Sequence, residues 1–143
     1  AYRYVRRDYV NNVANLDKYK VFMPGANGNG TFGEVISSPI VVEPGVGSTE
    51  TFISVGAYNT KLEAEYTLKY IKTKFARAML NILKATQANT PEKWKYVPLQ
   101  DFTPTSDIDW SKSIPKIDQQ LYKKYDLTPD EIKFIETHVK EMD

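Results

Sequence analysis

One stretch limits what this chain can fold into more than any other: residues 61–87, KLEAEYTLKYIKTKFARAMLNILKATQ, whose spacing predicts one long helix. Thr60 and Glu63 stand three residues apart, the spacing of a capping box in which hydroxyl and carboxylate each serve a free amide at the helix start. At about 100° per residue, Leu68, Ile71, Phe75, Met79 and Ile82 share one narrow arc, an apolar stripe suited to a core. Tyr66, Tyr70, Lys74, Arg77, Asn81 and Lys84 lie on the other side, with Lys69 and Lys72 on its flanks. The stripe must pack. The other face is open to two readings, a solvated surface or a binding surface. On the second, substituting Phe75 harms the fold and substituting Arg77 harms binding alone.

Candidates to cover the stripe lie mostly upstream. Residues 19–23, YKVFM, form a β-rich run stopped by Pro24. Residues 35–36 and 40–43 read as short strands broken by Ser37, Ser38 and Pro39. In residues 51–57, TFISVGA, Phe52 and Ser54 alternate with Ile53, Val55 and Ala57, the pattern of a central strand. That strand runs through Tyr58 and Asn59 into the helix, which can fold back over the sheet. Downstream, residues 94–99 read as an extended segment that Pro98 confines to an edge. Residues 118–125 predict a short helix burying Leu121, Tyr122 and Tyr125. Thr128, Pro129, Asp130 and Glu131 mark a second helix start, with a hydroxyl cap, proline at the first position and acids in the first turn. The expected class is α+β: a small mixed or antiparallel sheet packed on one long helix, with two short C-terminal helices. A chain of 143 residues is enough for a single core. Residues 19–143 are expected to form that domain. Residues 1–18 read as an arm or linker from an upstream domain, and the start at Ala1 rather than Met reads as a piece of a longer protein.

Residues suited to catalysis are few. The chain has no cysteine and one histidine, His138, so disulfides and thiolate metal sites are excluded. Glu92, Asp107 and Asp109 lack EF-hand spacing, and no metal site is expected. No G-x-S-x-G elbow occurs, and a serine triad would have only His138 as its base. Gly28, Gly30 and Gly33 match GxGxxG, but Pro39 and a β-branched run follow where that fingerprint requires a helix. An autonomous enzyme is therefore not expected. With no apolar run near the ~20 residues of a membrane span and no signal peptide, no membrane partner is expected, and the location is read as cytoplasmic. Positive charge is concentrated in residues 61–100, which hold eight bases and three acids. That asymmetry is compatible with an anionic partner.

Several stretches together resemble a known family. They are Thr49-Glu50-Thr51-Phe52; Tyr70-Ile71-Lys72-Thr73-Lys74-Phe75 followed by Arg77, Leu80, Lys84, Thr86 and Gln87; and Val97-Pro98-Leu99-Gln100-Asp101-Phe102. Trp110, Leu121-Tyr122-Lys123-Lys124-Tyr125, Leu127-Thr128 and Glu131-Ile132 follow in the same order. This succession, over roughly residues 19 to 142, resembles the C-terminal part of bacterial adenine-specific DNA methyltransferases of type II restriction–modification systems, including chains that also carry a nuclease. The resemblance implies a DNA target-recognition role and a bacterial cytoplasmic setting. It also implies that an upstream methyltransferase domain of the same polypeptide holds S-adenosylmethionine and the flipped adenine, with no cofactor in this part. No Asn-Pro or Pro-Pro pair for that catalytic motif occurs here. Under this reading double-stranded DNA is the partner. Asn27, Asn29 and Gln87 are the candidate base readers, and Lys69, Lys72, Lys74, Arg77 and Lys84 the candidate backbone contacts. The alternative is a protein-interaction domain packed on the neighbouring methyltransferase or nuclease domain, which would expose an apolar patch.

Overall fold

Three antiparallel strands, β1 (Tyr19–Pro24), β2 (Ile40–Val42) and β3 (Phe52–Tyr58), form a sheet of order β2-β1-β3 in the computed structural model. The structure describes residues 3–11, 14–26, 28–82 and 90–143. Among these residues four α-helices follow the sheet: α1 (Lys61–Lys72), α2 (Lys74–Asn81), α3 (Ile114–Lys124) and α4 (Pro129–His138). The class is α+β, as the pattern of apolar runs requires. β1 is central and the most buried of the three strands; Val21 and Met23 are fully buried. Packing begins before β1: Leu16 is buried, and the Asn15 amide donates to Ser54 Oγ at 2.7 Å and Gly56 O at 3.0 Å. Gly56 holds φ +83°, and a Cβ there would lie 2.1 Å from the Tyr58 ring. Only glycine fits that position.

Two expected strands are absent. Residues 35–36 do not pair in the sheet; instead Ile36 is buried and its amide points at Met142 Sδ, 3.3 Å away. The segment expected to be extended near Trp94 is a 3₁₀ turn, Pro91–Tyr96, because Pro91 sets the first helical φ and Val97 N donates back to Trp94 O at 2.9 Å. The two C-terminal helices form, α3 starting four residues earlier than expected at Ile114. The α4 start is a full capping box, with Glu131 N donating to Thr128 Oγ1 at 3.3 Å and Thr128 N to Glu131 Oε2 at 2.7 Å.

The long helix is the main correction. Its capping box at Thr60 and Glu63 forms, but the chain breaks at Thr73, whose ψ is 149°. Breaking a helix in a buried place strands backbone amides and carbonyls that need partners. Here they find them. Thr73 Oγ1 accepts from Ala76 N at 3.1 Å and donates to Tyr70 O at 2.6 Å. The Asp118 carboxylate of α3 accepts from Lys74 N at 3.0 Å and Phe75 N at 2.9 Å, which caps α2 from outside its own chain segment. Lys72 O accepts from Arg77 Nε at 3.2 Å.

The break lets the helical pair serve as a middle layer. One core joins α1 and the end of α2 to the sheet through Val21, Met23, Ile71 and Leu80. A second core joins the other side to α3, α4 and the loop before them through Tyr70, Phe75, Trp110, Leu121 and Tyr122. Ile71 and Phe75 of the expected stripe are buried, whereas Ile82 is 56% exposed. On the opposite face, which the sequence left between a solvated and a binding surface, three residues are buried: Tyr70 is 5%, Arg77 0% and Asn81 8% exposed.

Arg77 ties the layers to the C-terminal tail. Besides Lys72 O, its guanidinium donates to Glu34 O at 3.4 Å and to Lys140 O. Lys140 N donates to Gly33 O at 2.9 Å, and a Cβ on Gly33 (φ +76°) would lie 2.0 Å from His138 O. We therefore expect Arg77→Met to lower unfolding free energy by about 3 kcal/mol, since buried carbonyls lose charged donors. Arg77→Lys should recover only part of it, because an ammonium cannot reproduce the planar fork. Urea unfolding reads the first effect and hydrogen exchange at Lys140 N the second. Unchanged stability would return Arg77 to a binding role.

Candidate nucleic-acid interface

Three of the expected DNA-contact residues, Asn27, Lys84 and Gln87, lie outside the described residues. The remaining five are described, and four of them are engaged within the protein. Lys69 Nζ donates to Trp110 O at 3.1 Å, Ser111 O at 3.3 Å and Lys112 O at 3.0 Å. Lys72 Nζ donates to Asp143 O. Lys74 pairs with Glu136 Oε2 at 2.6 Å, with 16% of its side chain exposed. Arg77 is fully buried, whereas Lys69, Lys72 and Lys74 are half-buried with their ammonium groups held by the protein's own carbonyls and the Glu136 carboxylate. Asn29 sits exposed in the glycine loop, its side-chain oxygen accepting from Thr31 N at 3.0 Å.

Cations without an internal partner lie elsewhere. On α3, Ile117, Asp118, Leu121 and Tyr122 face inward. At 3.6 residues per turn this leaves Lys116, Gln119 and Lys123 in one outward row, and all three are exposed. None of the three has a side-chain partner among the described residues. Asp118 is the one acid of this helix, and it is 2% exposed. The solvent face of α3 is thus basic and amide-bearing with no acid of its own. Gln120, beside the row, is held by the preceding loop, accepting from Asp109 N at 2.8 Å. Lys124 pairs with Asp107 at 2.9 Å and Lys112 with Asp109 at 3.5 Å. The two free lysines stand seven residues apart, a rise of about 10 Å along the helix axis. The signal for this row was present in the sequence, but it needed knowledge of which side of α3 is buried.

Beneath the row lies a set of buried ionisable groups. Burial pushes the Asp118 carboxyl up to about 6, against the pull of the Phe75 and Lys74 amides. Burial lowers Arg77 to about 10, so it stays cationic at neutral pH. Tyr122 Oη donates to Glu136 Oε1 at 2.8 Å. Burial alone would raise Glu136, but the hydrogen bonds from Lys74 and Tyr122 prevail and hold it below the usual carboxylate range. Each of these groups is occupied in joining α2, α3 and α4. Among the described residues, no group of three His, Cys, Asp or Glu could hold a metal ion, and no helix is long and apolar enough to cross a membrane.

No protein-family model, no curated protein and no solved structure matches this chain. The site is therefore read from its own geometry.

The Asp118 geometry generates a test with a defined sign. Its folded pKa lies above the unfolded value of about 3.9, so the folded state favours the protonated acid. The stability from this group is present at pH 4 and lost as pH rises through about 6. In Asp118→Asn that term is gone, whereas the Glu136 term, which is lost as pH falls, remains in both proteins. The stability advantage of wild type over Asp118→Asn should then shrink between pH 4 and pH 7 in urea titrations. A gap that widens with pH would show the amide donors to outweigh burial.

Proposed function

We propose that this chain is a DNA target-recognition part of a restriction–modification adenine-specific DNA methyltransferase, binding duplex DNA beside a catalytic domain of the same polypeptide. The ordered run of motifs over residues 19 to 142 supports the family. The observation that carries DNA contact is the acid-free outer row of α3, Lys116, Gln119 and Lys123. Lysines there neutralise phosphates and release counterions. A glutamine between them can pair with adenine N6 and N7 in the major groove, as Gln and Asn side chains do. Phosphate contacts set the register and base contacts the sequence. S-adenosylmethionine and the extruded base belong, on this reading, to the neighbouring domain.

A salt titration of duplex binding by mobility shift tests the assignment. Lys116→Glu with Lys123→Glu should weaken binding about tenfold or more on every sequence and lower the salt slope by about 2. Lys133→Glu, an equal change of charge per site on the exposed face of α4, should have a smaller effect. Gln119→Ala should reduce discrimination between sequences while leaving the salt slope alone. No binding at low salt, or binding indifferent to the double reversal, would remove the α3 surface as the DNA face.

A further inference from the structure

A groove of about 470 Å³ runs between α2 and α4, and nothing above assigns it a role. Ala78 and Ile135, both buried, form its floor. Its rim carries large apolar side chains that remain open to solvent: Ile82 is 56%, Phe134 49% and Phe32 36% exposed. Phe32 packs against Phe134 with ring centroids 5.5 Å apart, and Phe134 stacks on His138 at 4.2 Å, so the aromatic wall is already positioned. The charged residues lining the groove are acidic, Asp130 and Glu131. Glu131 is tied to the α4 cap, and Asp130 has no side-chain partner among the described residues.

We propose that this groove is a docking site for an amphipathic helix whose apolar side chains are flanked by lysine or arginine. Three features select that occupant. The groove lies between one face of α2 and one face of α4, a furrow that accepts the ridge of a third helix. Its lining is apolar apart from the two acids, so a ligand needing several hydrogen bonds gains little there. The acids then choose a basic flank, because like charges facing each other across an interface are costly. The same acids disfavour two other occupants. A second copy seated on its own groove would bring Asp130 and Glu131 of both copies together, since a two-fold interface pairs a patch with itself. A nucleic acid would bring phosphates to them. This site is distinct from the α3 row and does not depend on the DNA reading. If that reading is also correct, the two surfaces let the chain hold DNA on α3 and a protein helix at α2 and α4.

Two fluorescein-labelled helical peptides with leucines at i, i+3, i+4 and i+7 test the proposal, one flanked by lysines and the other by glutamates. By fluorescence anisotropy the lysine-flanked peptide should bind wild type about tenfold more tightly than the glutamate-flanked one. Asp130→Lys should reverse that order, and Ile82→Glu should abolish binding with circular dichroism and thermal midpoint unchanged, Ile82 being on the surface. On wild type, amide shift changes should centre on Phe32, Ala78, Ile82, Phe134 and Ile135, which keeps the test independent of any variant's folding. Failure of both peptides to bind, equal affinities, or shift changes elsewhere would each overturn the proposal. A wild-type dimer that Ile82→Glu dissolves in sedimentation would overturn it in favour of a second copy.

Discussion

A backbone carbonyl that leaves regular structure and is then buried must find a donor, and this constraint shapes the whole molecule. Long irregular segments lie on both sides of the helical layer, and cations reach across to them. Arg77 spans Lys72, Glu34 and Lys140. Lys69 holds the carbonyls of residues 110–112 just before α3. Lys20, 1% exposed on the central strand, donates to Leu16 O and Lys18 O at 3.1 Å and to Glu43 O at 3.3 Å. Desolvation lowers the Lys20 pKa, the expected response of a buried ammonium. A neutral side chain of the same length could not serve three acceptors at once. The break at Thr73 belongs to the same logic, since Asp118 supplies from α3 the acceptors that its stranded amides need.

That use of charge redraws the surface. Lys69, Lys72, Lys74 and Arg77 of the helical pair are engaged within the protein, and an exposed positive row lies on α3, whose one acid is buried beneath it. On the same side of that helical layer, α4 sets acids beside an apolar furrow. The two surfaces differ in kind, one suited to a polyanion and the other to a basic apolar segment. Both rest on α2, which contributes to both cores and to the groove floor.

Local signals were read correctly where partners lie close in sequence. The capping boxes at Thr60 and Thr128 need a residue three positions away, and both form. The alternation in residues 51–57 and the apolar run of β1 need only a period of two, and both are strands, but β3 lies at the sheet edge and not at its centre as expected, because β1 pairs on both sides. The break at Thr73 was illegible because residues 61–82 contain no proline or glycine to announce it. Its decisive partner, Asp118, lies more than forty residues further on. Residues 35–36 have strand composition but lie against the C-terminal tail, a contact no local window contains.

By itself the sequence determined the class of the fold, the strands β1 and β3, the two helix starts and the apolar positions Ile71 and Phe75. These follow from period and from neighbours a few residues apart. The tertiary structure alone decided what the basic side of the helix faces. Periodicity shows that a helix has two sides; it cannot show that Tyr70 and Arg77 are buried, because that depends on distant segments, residues 102–139 and the C-terminal tail. With those segments in place, Arg77 became part of the scaffold, and Lys116 and Lys123 were left in solvent.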